Sequence, residues 1–175
     1  MELRKRLGIP EHGPLLADQL AEELGVTVWS VDQVAGMSST SLQVLEDQQD
    51  DSWLALTMRI GPKHLVIHKT VSSEGHRNSI VMHELSHIIL GHQLAEACML
   101  EDGSLVPGNF DQDQEYEADW LAGTLLLPRP SVVSIRRRRL PNAVACQEYS
   151  VTQDMLNWRV KMTGVDRQFS RRRAC

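Results

Sequence analysis

The chain has 175 residues, 42% hydrophobic and 23% charged, with a formal net charge of −5. That length suits one domain, or one domain with a small appendage, and the composition excludes a wholly disordered chain. No apolar run approaches the ~20 residues of a membrane span. The charged start Met1-Glu-Leu-Arg-Lys-Arg-Leu-Gly8 lacks the apolar stretch of a signal peptide, and three widely spaced cysteines (Cys98, Cys146, Cys175) suit a reducing cytoplasm.

Apolar residues at 15, 16, 20, 21 and 24 predict a helix over Leu15–Leu24, stopped by Gly25. Val26–Trp29 reads as a short strand, Ser38–Leu45 as a helix and Glu46–Asp51 as a solvated acidic turn. The period of two at 54, 56, 58 and 60 predicts a half-buried strand over Ser52–Ile60. After a Gly61-Pro62 turn, His64–His68 is its antiparallel neighbour. Arg77–Leu90 carries apolar residues at 80, 81, 82, 85, 88, 89 and 90, a long buried helix ending at Gly91. Residues 101–112 read as a loop, and Asp113–Leu127 as a second strong helix ended by Pro128 and Pro130. Ser131–Leu140 is a helix holding an arginine run, followed by short helices over 142–148 and 152–163, ended by Gly164.

The charge is unevenly placed. Residues 1–75 carry a net −5, 76–130 a net −7 and 131–175 a net +7. Together with the prolines, this switch divides the chain near 128–131, giving units 1–130 and 131–175.

The chemistry gathers at His83-Glu84-Leu85-Ser86-His87. On a helix, positions i and i+4 share a face, so both imidazoles can reach one ion, while Glu84 can contact a water beside it. Catalytic zinc takes three protein ligands and keeps one open position. The best third ligand is Glu115. Asp119, one turn on, can accept the free N–H of a ligating histidine. Glu117 points about 160–200° away from Glu115 and is the alternative ligand if the helix register differs. With 7 histidines and 12 glutamates in the chain, this five-residue pattern arises by chance only about 0.02 times per such sequence. A satisfied histidine pair on an exposed helix face would leave the acid between them unexplained. His92 does not complete the longer three-histidine pattern, which needs glycine at 90 and histidine at 93 where this chain has Leu90 and Gln93. A structural role is expected for it. His64 and His68 read as surface or packing residues, and Cys98 as a small apolar one.

Two segments, Ser79-Ile-Val-Met-His-Glu-Leu-Ser-His-Ile-Ile-Leu-Gly-His92 and Glu115-Tyr-Glu-Ala-Asp-Trp-Leu-Ala-Gly-Thr-Leu-Leu-Leu-Pro128, resemble the ImmA/IrrE family of zinc metallopeptidases in order and separation. Residues 15–130 carry the resemblance well and the rest loosely. Trp120-Leu121 stands where phenylalanine is frequent. The resemblance implies site-specific cleavage of a helix-turn-helix repressor, relieving repression of a mobile element or a stress regulon. Residues 142–164 look similar to the helix-turn-helix-like segment of some members. The expected fold is α+β: a small antiparallel sheet on a helical zincin-like core, with a C-terminal helix-turn-helix-like segment.

The expected mechanism has a zinc ion held by His83, His87 and Glu115, Glu84 as general base, and a further donor for the tetrahedral intermediate among Tyr116, His92 and Tyr149. The arginines Arg136, Arg137, Arg138, Arg139, Arg171, Arg172 and Arg173 could contact DNA phosphates, an acidic partner or the protein's own acidic body. A solvated face is the plainer reading. Trp158 and Val160 suit a core better than a base-stacking platform. The alternative function is a non-cleaving, zinc-stabilised anti-repressor or DNA-associated binding module. Glu84 favours the enzyme, because a purely structural site has no use for a general base there.

Overall fold

The first helix, α1 (Glu2–Arg6), is too short to show a hydrophobic period. The predicted N-terminal helix follows as α2 (Ala17–Leu24), closed by Gly25 at φ 66°. Then come β1 (Thr27–Ser30), α3 (Ser39–Leu45), β2 (Ala55–Ile60) and β3 (Lys63–His68), the last two joined by a turn with Gly61 at φ 60°. The computed structural model describes residues 2–36, 38–46, 53–71, 73–93, 97–99, 105–107 and 111–171, with backbone alone at 41, 44, 97–99, 105–107, 170 and 171. Beyond Glu46, the predicted acidic turn lies outside these residues.

The α+β expectation holds, with one correction to the sheet. Its order is β1-β3-β2: β3 runs antiparallel to β2, as predicted, but parallel to β1. The sheet is therefore mixed. A parallel pair needs a long crossover, and α3 and β2 fill it. The central strand β3 buries Leu65, Val66, Ile67 and His68, as expected where both faces are covered.

The long helix α4 (Glu74–Leu90) begins three residues before its predicted start. Ser73 caps it, its side chain accepting from the His76 N–H at 3.3 Å. Predicted as loop, 101–112 instead contains β5 (Leu105–Pro107), antiparallel to β4 (Ala97–Met99). Strands of three residues are too short to show a period. Helix α5 (Gln112–Leu126) starts at Asp111, whose carboxylate accepts from the Asp113 and Gln114 N–H groups. The chain then forms α6 (Arg129–Arg138), α7 (Asn142–Tyr149), α8 (Gln153–Thr163) and a further helix, α9 (Val165–Arg171). Between α7 and α8 the turn passes through Ser150 in the left-handed conformation.

One apolar cluster joins α2, α4, α5 and the C-terminal helices. It includes Leu20, Val81, Met82, Leu85, Leu126, Ile135, Tyr149 and Leu156, and so runs across residues 128–131. Buried polar groups fix its geometry. The Asn78 side chain accepts from the Ala17 N–H at 2.7 Å and donates to the Ser150 carbonyl at 2.9 Å, tying α4 to α2 and to the α7–α8 turn. Trp158 of α8 lies against Gly123 of α5, where an added Cβ would stand 2.1 Å from the indole.

Candidate metal centre

Two successive turns of α4 carry His83 and His87, and α5 lies against them. His83 Nε2 is 3.0 Å from His87 Nε2 and 3.0 Å from Glu115 Oε2, while His87 Nε2 is 3.5 Å from Glu115 Oε1. Ligand atoms about 2.0–2.1 Å from a tetrahedral centre lie roughly 3.3–3.4 Å apart. The three side chains are thus spaced so that they could hold one ion, and two imidazole nitrogens with one carboxylate oxygen would leave a fourth position of a tetrahedral ion open. Among the described residues, these form the cluster of His, Cys, Asp or Glu side chains able to hold a metal.

The surroundings orient each ligand. The far nitrogen of His83, Nδ1, is 2.9 Å from Asp119 Oδ1, the contact expected from the Glu115/Asp119 spacing. Burial pulls His83 toward its neutral form. The Asp119 hydrogen bond and the charges of Glu84, Asp119 and Glu115 outweigh it, and the pKa rises above the ordinary value. Burial and the neighbouring His83 lower the pKa of His87.

Glu84 is held by a residue that the sequence reading missed. Thr57 of β2, only 4% exposed, donates its hydroxyl to Glu84 Oε2 at 2.5 Å. The period-two pattern placed the buried face of β2 at 54, 56, 58 and 60. Ile60 is instead exposed, Met58 packs on a small cluster around Leu65 and Ile67, and Thr57 faces α4. In the sequence Thr57 reads only as the polar member of an apolar alternation, which gives no sign that it is buried. Burial raises the Glu84 pKa, and the Thr57 hydrogen bond moderates the rise.

The other candidates are distributed differently. Tyr149 is in the core with its hydroxyl donating to the His12 carbonyl at 2.7 Å, which removes it from the expected donors. His92 makes the contacts of the structural residue expected of it: Nδ1 meets His87 Nδ1 at 2.9 Å and Nε2 meets Glu117 Oε2 at 3.2 Å. Glu117 therefore faces His92 and not the ligand cluster. Tyr116 is exposed, its hydroxyl accepting from the Gln112 side chain. In the arginine run, Arg136 pairs with Asp166 and Arg138 with Glu148, each through two hydrogen bonds, within the basic segment itself and not with the acidic body. Arg137 and Arg139 are exposed. The Arg171 side chain, Arg172 and Arg173 lie outside the described residues. No helix among the described residues is long and apolar enough to cross a membrane.

No curated protein and no solved structure matches the chain. The model of one peptidase family matches residues 21–161, a span that contains α4, α5, Thr57 and all three clustered ligands. On that match the chain belongs to the M78 peptidase family, the IrrE N-terminal-like domain.

Proposed function

We propose that the protein is a zinc-dependent endopeptidase that cleaves a helix-turn-helix transcriptional repressor at a specific site and so relieves repression. The observation that carries this reading is the convergence of His83, His87 and Glu115 beside a buried Glu84 on the same helix. Membership of a peptidase family supports the reaction class. The sequence resemblance to the ImmA/IrrE metallopeptidases supports the choice of substrate.

Zinc held by His83, His87 and Glu115 would acidify a water molecule and polarise the scissile carbonyl. Glu84 supplies the base. Thr57 engages Oε2, so Oε1 is the oxygen that accepts the proton of the attacking water. Burial makes this carboxylate a stronger base than an exposed one, and the same oxygen then returns the proton to the leaving amine. Asp119 keeps the His83 Nδ1 proton in place and directs Nε2 toward the ion. Contact with DNA belongs to the same proposal as a secondary feature. In the run 136–139, Arg137 and Arg139 are exposed and would make the contact, whereas Arg136 and Arg138 would first have to leave Asp166 and Glu148.

The test is cleavage of a helix-turn-helix repressor encoded beside this chain, followed with zinc, with a chelator, and with Glu84→Gln. Zinc-loaded wild type should cut at one bond, and the chelated chain should not. The E84Q variant should hold zinc without cutting. Cleavage that persists in E84Q with metal bound refutes the general base. A wild-type chain that relieves repression without cutting points to the non-cleaving anti-repressor.

A further inference from the structure

The helix that carries the two histidine ligands ends in a way that turns the chain back over one of them. Gly91 adopts φ 69°, and its N–H donates to the Ile88 carbonyl at 3.2 Å. The next N–H, that of His92, donates to the His87 carbonyl at 3.0 Å. This pair of bonds is the Schellman arrangement. Its consequence here is that the His92 ring also lands on His87, Nδ1 to Nδ1 at 2.9 Å. The His92 side chain is 7% exposed, and its other nitrogen meets Glu117 Oε2 at 3.2 Å.

The donors and acceptors along this chain of groups permit one assignment when His87 ligates a metal. His87 Nε2 then offers its lone pair, so the proton sits on Nδ1 and is donated. His92 Nδ1 must accept it, which puts the His92 proton on Nε2. Glu117, a carboxylate, accepts that proton. We propose that His92 and Glu117 are positioning residues that hold His87 in its metal-ligating tautomer, as Asp119 holds His83. The inference rests on the metal-site reading above and concerns how that site is built. It gives each histidine ligand its own carboxylate-terminated support: Asp119 directly, and Glu117 through the His92 ring.

Zinc affinity tests this without any substrate. The full chain is stripped of metal and zinc is titrated against a competing chromophoric chelator. His92→Phe keeps a ring of similar breadth but removes the acceptor, and zinc binding should weaken by about 10–100-fold. His92→Asn puts an oxygen near the Nδ1 position and should recover most of that loss. Glu117 is exposed, so Glu117→Leu leaves folding aside and should weaken zinc binding in the same direction by a smaller factor. In the zinc-loaded, nitrogen-15-labelled chain, the His87 Nδ1–H resonance should be visible in wild type and in H92N but lost or shifted in H92F. Wild-type affinity in both H92F and E117L overturns the proposal while leaving the metal site intact. Failure of wild type itself to bind zinc overturns the metal-site reading, and this inference with it.

Discussion

Gly123 gives a test in which local propensity and packing predict opposite signs. It lies inside α5, where alanine is normally better than glycine by about 1 kcal/mol. A Cβ built at this position, however, would stand 2.1 Å from Trp158 Cζ3, 3.0 Å from Cη2 and 3.1 Å from Arg159 Cδ. Carbon atoms rest at about 3.5–4.0 Å, so the indole must retreat by about 1.4 Å. Its surroundings resist this: the ring packs edge-on against Trp120 at 5.3 Å, and the Arg159 guanidinium lies 5.4 Å from its centroid. Overpacking costs about 1–3 kcal/mol, and an indole driven back this far against packed neighbours belongs in the upper part of that range, about 2–3 kcal/mol. After the helix gain, Gly123→Ala should lose about 1–2 kcal/mol, roughly 3–6 °C in melting temperature for a chain of this size. In a Trp158→Ala background the obstruction is gone, and the same substitution should stabilise by about 1 kcal/mol. Thermal melts of the four chains form a double-mutant cycle with a coupling of about 2–3 kcal/mol. The packing argument is refuted if Gly123→Ala raises the melting temperature of the intact chain, or if its effect is the same in both backgrounds.

The metal centre supplies two more predictions. Asp119→Ala should weaken zinc binding by about 10–100-fold in a chelator competition, because His83 loses the group that directs its Nε2 toward the ion. The melting temperature of the metal-free chain should move little, since Asp119 is exposed. Zinc affinity should also fall with pH through the His83 titration. The folded pKa of His83 is raised from 6.5, so its protonated form stabilises the metal-free chain below 6.5, and that contribution is lost as pH rises through the folded value. Zinc needs the neutral imidazole, so its affinity should climb over the same interval, with proton release visible by calorimetry in buffers of different ionisation enthalpy. An affinity that stays flat across this interval would show that zinc does not displace a proton from His83.

Helical spacing made much of the site legible. An i, i+4 relation becomes one face of a helix whatever the rest of the fold does, so His83 with His87, and Glu115 with Asp119, could be read as neighbours from the sequence. Thr57 could not, because a hydroxyl 27 positions from Glu84 in the chain meets it only once β2 lies along α4. His92 was intermediate. A glycine after a helix marks a turn, but its consequence, a ring placed back on the residue five before it, appears only when the two carbonyl bonds are traced. Buried cations were the least legible. Composition assigns arginine to the surface, yet Arg4 and Arg159 are each only 4% exposed. The direction of β1 was likewise hidden, since strand periodicity carries no information on whether a neighbour is parallel.

Those two arginines connect the ends of the chain to the metal centre. The last carbonyls of a helix have no intrahelical partner, and the helix dipole makes that end negative. At the end of α5, Arg4 donates to the Leu125 carbonyl at 2.6 Å and Arg159 to the Leu127 carbonyl at 2.9 Å. Burial lowers both guanidinium pKa values, a cost that the dipole and the carbonyl bonds offset. Trp158, seated on Gly123, closes the same end. From Leu127 back to Glu115 is about 18 Å at 1.5 Å per residue. A tilt of only about 3° at the anchored end would therefore carry Glu115 roughly 1 Å along an arc, enough to spoil a ligand spacing of about 3.3 Å. Trp158 and Arg159 come from the segment that carries the net +7. Whatever that segment contacts outside the molecule, two of its side chains already act inside it, holding the helix that brings Glu115 and Asp119 to the histidines.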